Sequence, residues 1–577
     1  CRTIRSHFGS RGFASISVLP AMMGPGGAGG GQVLVMNQNV KREENRKAQK
    51  SNITAGVTVA NIVRSTLGPK AMLKMLLDPM GGIVLTNDGN AILREIDVTH
   101  PTAKSMMELS RAQDEEVGDG TTSVIILAGE MMGVAEPLLD IPLHPTVIVQ
   151  SYLRALEDSI KIMEELSTPL DTTNQQALSD CVRKCVDTKF VSRYGSKISD
   201  LAVRAAQIVQ ETIGGKKVID MKRYARVEKI PGGSMEDCEV LEGVMFNKDI
   251  VHPKMRRRIE KPRVILLDCT LEYKKSESAT NVEITREEDW ELLLKQEEDE
   301  VQKMCEDILK HKPDVVVTEK GVSDLAQHFL LKGNVSVIRR ARKTDNNRIA
   351  RVTGATIVNR TDEITEKDVG TKCGLFKVEK IGDEYFTYML ECEDPKACTV
   401  LLRGASKDAL NEIERNLQDA FCVARNIFLE PRLVPGGGAV EMEVSARLLE
   451  KSRSMEGGMQ YGYKAVAAAF EVIPRVLAMN CGVNVVRVMT ELRSKHAKAG
   501  EGVNIGIDAE KGVVVDVRDV GVMDTFVVKQ QCFKSAIESA AMLLRIDQVV
   551  SGLSRKKGGG GAAHTEMGAG AEEMMMG

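Results

Sequence analysis

Aromatic residues are scarce in this 577-residue chain: they make up 4%, with a single tryptophan, Trp290. Base stacking on an aromatic platform is therefore not expected. No excess of positive charge replaces it, because 78 basic residues face 81 acidic ones and the net charge is -3. Nucleic acid is not expected as a partner. No apolar run reads as long enough to cross a bilayer, so no membrane is expected either. The 12 cysteines are scattered. Cys181 and Cys185 are spaced for one helix face, and Cys392 and Cys398 bracket a polar loop. Neither pair has a second CxxC or a His pair beside it, which argues against zinc and for reduced thiols. Familiar catalytic signatures are missing too: no G-x-x-x-x-G-K-[ST], no H-R-D or D-F-G, and no G-x-S-x-G. These absences exclude the P-loop, kinase and nucleophile-elbow classes.

What is present centres on Val117-Gly118-Asp119-Gly120-Thr121-Thr122-Ser123, a turn that opens the helical run Val124–Ala128. Glycines let backbone N–H groups approach an anion, and a helix N-terminus adds partial positive charge. A carboxylate repels phosphate, so Asp119 fits such a cradle only if a hard cation such as Mg²⁺ bridges the two. The plain alternative is a Gly-Asp turn with an ordinary cap.

A chain of this length needs two to four domains. Residues 1–32 carry Arg2, Arg5 and Arg11 and no acid, and end in a Gly-rich linker. The composition resembles a transit peptide, but a variable tail is the expectation. Val33–Met36 reads as an edge strand, and a mostly helical region follows to about Leu166, interrupted by the strand-like Ile83–Thr86. The run Asn87-Asp88-Gly89-Asn90 is a hairpin-type turn signal. From about Val264 to Val358 strands and helices alternate, which argues for an α/β domain. The acidic stretch Glu283 to Glu300 reads as an exposed excursion or a solvated helix face. Leu410, Ile413, Leu417, Phe421 and Ala424 share one face of a later helix, with Asp419 on the other side, toward solvent or a cleft. The rest is helical to about Leu544, and residues 552–577 read as a disordered tail. Asp88, Asp119 and Asp419 can form one phosphate and metal site if the two helical ends of the chain pack together.

Several stretches occur together, in order: Leu67-Gly-Pro-Lys70 with Lys74-Met-Leu76, Leu85-Thr-Asn-Asp-Gly89, Gly118-Asp-Gly-Thr-Thr122 and Val434-Pro-Gly-Gly-Gly438. With Ala91–Glu95, Tyr224–Gly233, Thr344–Arg351 and Asn416–Asp419 they make the chain, from about Val33 to Ser551, resemble the group II chaperonins, and among them the eukaryotic cytosolic form. The resemblance implies a multidomain fold, all-α in one part and α/β elsewhere. A helical equatorial domain (33–167 and 432–551), a small α/β intermediate domain (168–238 and 394–431) and an α/β apical domain (239–393) are implied. A helical protrusion near 270–300 would serve as a built-in lid.

The resemblance also implies residue roles. Thr66, Leu67, Gly68 and Pro69 line an ATP pocket; Asp119 binds Mg²⁺; Gly120, Thr121, Thr122 and Ser123 lie on the phosphates, and Gly89 also binds the nucleotide. Asp88 and Asp419 position or activate the attacking water, and Lys189 senses the terminal phosphate. Gly437 lies on the ribose side and Asp508 by the adenine. Asp524 follows Met523 where the resembled sequences have Glu after Trp, in contact with ribose. On the apical helix Ser323–Asn334, Leu325, Phe329 and Leu330 form a face that could hold non-native chains or simply pack as an amphipathic helix. The implied activity is ATP hydrolysis that drives protein folding inside a cytosolic double ring of paralogous subunits, with clients such as actin and tubulin. The alternative is a structural subunit with little turnover.

Overall fold

Apolar residues at helical spacing in the first and last parts of the chain meet in one core, so the two ends of the sequence fold together. The computed structural model describes residues 41–77, 81–141, 143–189, 192–273, 287–497 and 502–551. The expected strand at 33–36, both tails and the beginning of the acidic excursion lie outside them. The strands Lys41–Glu44 and Gln548–Ser551 form a two-stranded sheet. Residues 44–548 form one compact unit, and it holds three large buried clusters.

The first cluster joins helices from 45–166 with helices from 439–544. At its centre is the helix Thr121–Asp140, whose Val124, Ile125, Ile126, Leu127, Met131 and Met132 are fully buried. By length and composition alone this helix is apolar enough to cross a membrane, which corrects the reading that no such run exists. It packs against the helices Asn45–Val63 and Phe526–Leu544, and a helix enclosed on most sides is apolar nearly all round for that reason.

The second cluster spans residues 244–397. Its parallel sheet runs in the order Ser336–Ile338, Val315–Thr318, Val264–Leu267, Ile357–Val358. Val264–Leu267 and Val315–Thr318 are buried at every position, as continuous β-branched and aliphatic runs in a parallel sheet should be. The acidic stretch enters the helix Glu287–Leu309, which buries Val301, Cys305 and Ile308 and leaves Trp290, Leu292 and Leu294 exposed. The third cluster joins residues 178–240 to the helix Lys407–Leu429. All five apolar residues named above on that helix are buried.

Two strand pairings tie the outgoing chain to the returning one. Ala225–Pro231 runs parallel to Cys398–Gly404, and Thr168–Pro169 pairs with Arg432–Pro435, which also pairs with Met523–Thr525. One local reading changes. Asn87–Asn90 is not a hairpin turn: the hairpin lies earlier, pairing Lys74–Leu77 with Ile83–Thr86, and Asp88 caps the helix Gly89–Glu95 by accepting from the Ala91 N–H. The same Asx chemistry serves either structure. The buried Ile92 and Leu93 that follow select the helix.

Candidate functional site

The loop that opens the Thr121–Asp140 helix is shaped by two left-handed glycines, Gly118 at φ 73° and Gly120 at φ 75°. Between them Asp119 turns one carboxylate oxygen to the Gly120 N–H at 2.8 Å, and the other accepts from the Cys185 thiol at 3.4 Å. The helix starts at Gly120 with no side-chain cap, so its first-turn N–H groups at Thr121, Thr122 and Ser123 stay directed at the cavity. Asp88 lies alongside. Its Oδ1 accepts from Thr121 Oγ1 at 2.8 Å and its Oδ2 from the Ala91 N–H at 3.0 Å, so its orientation is fixed from both sides. Gly89 stands behind the cradle rather than in its wall: a Cβ there would lie 2.9 Å from Thr122 Oγ1.

These loops line a cavity of about 260 Å³. Thr66, Leu67, Gly68, Pro69, Asp88, Asp119, Gly120, Thr121, Thr122, Ser123, Lys189, Gly437, Asp508 and Asp524 all line it. Asn480 holds the 66–69 loop by donating to the carbonyls of Leu67 at 2.7 Å and Arg64 at 3.1 Å. Elsewhere in the lining the Gly437 carbonyl accepts from the Ile507 N–H at 2.9 Å. The Asp508 carboxylate accepts from the Glu510 and Lys511 N–H groups at 3.0 and 3.3 Å. It braces its own turn, which is a structural duty beyond the one expected of it.

Asp419 does not line the cavity itself. It sits behind Lys189, in direct ion-pair contact, with the two side chains 15% and 12% exposed. Burial pushes the Asp419 carboxyl up to about 8, against the opposing pull of Lys189 and with a further rise from Asp88. Lys189 is held well above the ordinary lysine range, its burial outweighed by Asp419, Cys185, Asp119 and Asp88. The helix carrying Asp419 is fastened to both carboxylate loops. Glu412 accepts from Thr86 Oγ1 at 3.3 Å, Arg425 donates to the Glu116 carbonyl at 2.5 Å, and Asn426 donates to the Val117 carbonyl at 3.0 Å.

The client-facing triplet is not brought to one surface. Leu330 is fully buried in the second core and Phe329 packs partly against it. Only Leu325, 42% exposed, faces outward. The reading of Leu330 as a contact residue is therefore corrected: in the nine-residue helix Asp324–Lys332 it belongs, with Ala326, to the buried face.

One residue at the cavity went unread. Lys529 contacts Glu441 at 2.6 Å and Asp524 at 3.1 Å, and their charges raise it although burial alone would lower it. The signal was available, because Lys529 interrupts the buried stripe of Phe526, Phe533 and Ala536 at helical spacing. A charge on such a stripe needs partners.

Comparison with known proteins adds a family to this geometry. The model of the TCP-1/cpn60 chaperonin family matches residues 59–553. T-complex protein 1 subunit gamma of Oxytricha granulifera is 62% identical over 548 residues, covering 94% of this chain and 98% of its own. The proteins of that name from Schizosaccharomyces pombe and Homo sapiens are 57% and 56% identical, each covering 91% of this chain.

Proposed function

The chain belongs to the TCP-1/cpn60 chaperonin family and is a chaperonin subunit, and from that premise we propose that it hydrolyses ATP at the cavity around Asp88, Asp119 and Lys189. The observation that carries the reading is the meeting of three carboxylates from distant sequence. Asp88 and Asp119 come from loops of the first core and Asp419 from a helix of the third, and all three act on Lys189. The residues fit ATP and Mg²⁺. An uncapped helix N-terminus with glycines at positive φ offers amides to phosphate, and Asp119 offers an oxygen ligand beside it. Mg²⁺ when bound would be held by Asp119 and would offset phosphate charge. Thr121, Thr122 and Ser123 would take the phosphates, and Gly437, Ile507, Asp508 and Asp524 the nucleoside end.

Asp88, locked by its two hydrogen bonds, would orient the attacking water, and Asp419 would accept its proton. A carboxyl raised by burial is a stronger proton acceptor than an ordinary one. Lys189 now engages Asp419 and would exchange that partner for the terminal phosphate. The first core is proposed as the equatorial domain, the third as the intermediate domain and the second as the apical domain. Because Asp419 stands on a different core from the phosphate loops, catalysis would require closure between them, which couples hydrolysis to domain movement. Folding of non-native clients, actin and tubulin among them, in a cytosolic ring of paralogous subunits completes the proposal.

The test is Asp119→Ala in this subunit alone, within the assembled ring. Loss of this subunit's share of phosphate release, with ring mass intact, is the expected result. Unchanged turnover in an intact ring would make the chain a structural subunit.

The hairpin is proposed as a surface for ring neighbours. Its cross-strand pairs Met75–Leu85 and Leu77–Ile83 are exposed, from 44% at Leu85 to 74% at Leu77. An apolar face of this kind calls for a covering partner. The double variant Met75→Glu, Leu77→Glu should weaken incorporation into rings at least about tenfold, since each buried side chain is worth roughly 1.5–3 kcal/mol. Helical content of the isolated chain should not change. Normal incorporation, scored by native mass measurement, would place the subunit contact elsewhere.

A further inference from the structure

Cys392 and Cys398 bracket a polar strap, residues 393–397, by which the chain leaves the second core for the third. The structure gives these two thiols different neighbours. Cys398 is fully buried on the strand Cys398–Gly404, with its Sγ on the Ala205 carbonyl at 4.0 Å. Cys392 instead meets Cys373. The antiparallel register that pairs Leu375 with Leu390 is carried three residues further by the Glu393 N–H, which donates to the Lys372 carbonyl at 2.9 Å. Residue 373 therefore stands opposite residue 392. Both Sγ atoms lie on one carbonyl oxygen, that of Leu390, at 3.8 and 3.7 Å.

Directly opposed antiparallel residues have Cα atoms about 4.5–5.5 Å apart, within the span that a disulfide bridges. Cys373 is 1% exposed, while Cys392 is half-buried, so a reagent arrives at Cys392 and the resolving thiol waits beneath it. The interaction between the two thiols draws Cys373 below the ordinary thiol range and holds Cys392 above it. Cys373 can therefore take the Cys392 proton as the outer sulfur reacts.

We propose that Cys373 and Cys392 are an oxidative modification site, a cross-strand dithiol that a hydroperoxide closes to a disulfide. The Cys392 sulfur attacks the peroxide, whose O–O bond breaks, giving a sulfenic acid and one water from hydrogen peroxide. The Cys373 sulfur then displaces hydroxide from the sulfenic sulfur, and a thiol proton completes a second water. Two thiols are oxidised and one peroxide is reduced to two waters, and a low-molecular-weight thiol reverses the change. The bond pins the residue just before the strap to the sheet. Four residues on, Lys396 pairs with Glu211 at 3.1 Å, and Glu211 pairs with Arg351 of the second core at 2.7 Å. Oxidation would thus fix the root of a connection that any movement between these cores must flex.

The test uses the wild-type chain in its assembled complex. Native protein is treated with hydrogen peroxide, blocked with N-ethylmaleimide and digested with trypsin without reduction. The expected product joins peptide 373–377 to peptide 381–396, two hydrogens lighter than their sum, and dithiothreitol abolishes it. In Cys373→Ser, Cys392 should instead be trapped as sulfenic acid by dimedone. Cys392 joined to Cys398, or both thiols recovered as maleimide adducts at peroxide doses that fully oxidise free glutathione, would overturn the proposal.

Discussion

In the Asp419→Ala variant, phosphate release from this chain's own site falls by roughly 10²–10⁴-fold, the size expected for loss of a general base, while ATP binding is retained. The cavity wall explains the split. Asp419 is not part of that wall, and the residues that would hold phosphate and nucleoside come from other loops. Its removal takes away a proton acceptor and also frees Lys189, whose positive charge then has one partner fewer. Tighter rather than weaker nucleotide binding is the corollary. Neighbouring subunits are expected to turn over as well, so the measurement is a single-turnover quench in rings whose other sites are silenced, paired with an equilibrium titration by a fluorescent ATP analogue. Weak binding with an unchanged chemical step would reassign Asp419 to holding the nucleotide. An unchanged rate with unchanged binding would remove it from the site.

The largest effect on stability is expected at Glu443. Its carboxylate accepts from His496 Nδ1 at 2.9 Å and from Arg447 at 2.8 Å, while His496 Nε2 meets the Ile505 carbonyl at 2.8 Å. Both neighbours of the His496 ring are acceptors, and the ring is 1% exposed. Glu443→Ala would leave this donor buried and unpaired beside the strand that forms the nucleoside end of the cavity. Leaving a buried polar group without its partner costs about 1–3 kcal/mol, read as a lower urea midpoint for the isolated chain.

The pH dependence has a definite sign. Burial would raise Glu443, but the hydrogen bonds from His496 and Arg447 prevail and hold it below its ordinary value of 4.5. A carboxylate with a depressed folded pKa stabilises fully above its unfolded pKa and loses that contribution as pH falls through the folded value. Glu443→Gln should therefore flatten the loss of stability below about pH 4.5 relative to wild type. A parallel acid limb in the two proteins would show that the pair contributes nothing to it.

Much of this molecule was legible before any coordinates. The alternation of strands and helices from Val264 to Val358 is present as read, and the helix expected at Ser323–Asn334 runs from Asp324 to Lys332. Period-2 and period-3.6 patterns are local properties of a chain that must bury one face. The glycine loops were readable for a similar reason. A left-handed residue such as Gly118 or Gly120 is dictated by its own backbone, and little but glycine accepts that conformation. The misreadings also have causes. Asn87–Asn90 misled because Asx-Gly chemistry caps helices and closes hairpins alike. Leu330 misled because periodicity locates a face without saying what covers it.

By itself, then, the sequence determined the element types, the glycine turn at 118–123 that opens a helix and, through motifs held in order, the family. Only the tertiary structure decided which side chains of distant segments meet. It set Asp419 behind Lys189, gave Lys529 to Asp524 and Glu441, and placed Cys373 rather than Cys398 against Cys392. Each of these contacts joins residues whose proximity depends on strand register or helix packing. Local backbone preference carries no record of either, because a one-residue slip leaves every propensity intact and changes every partner.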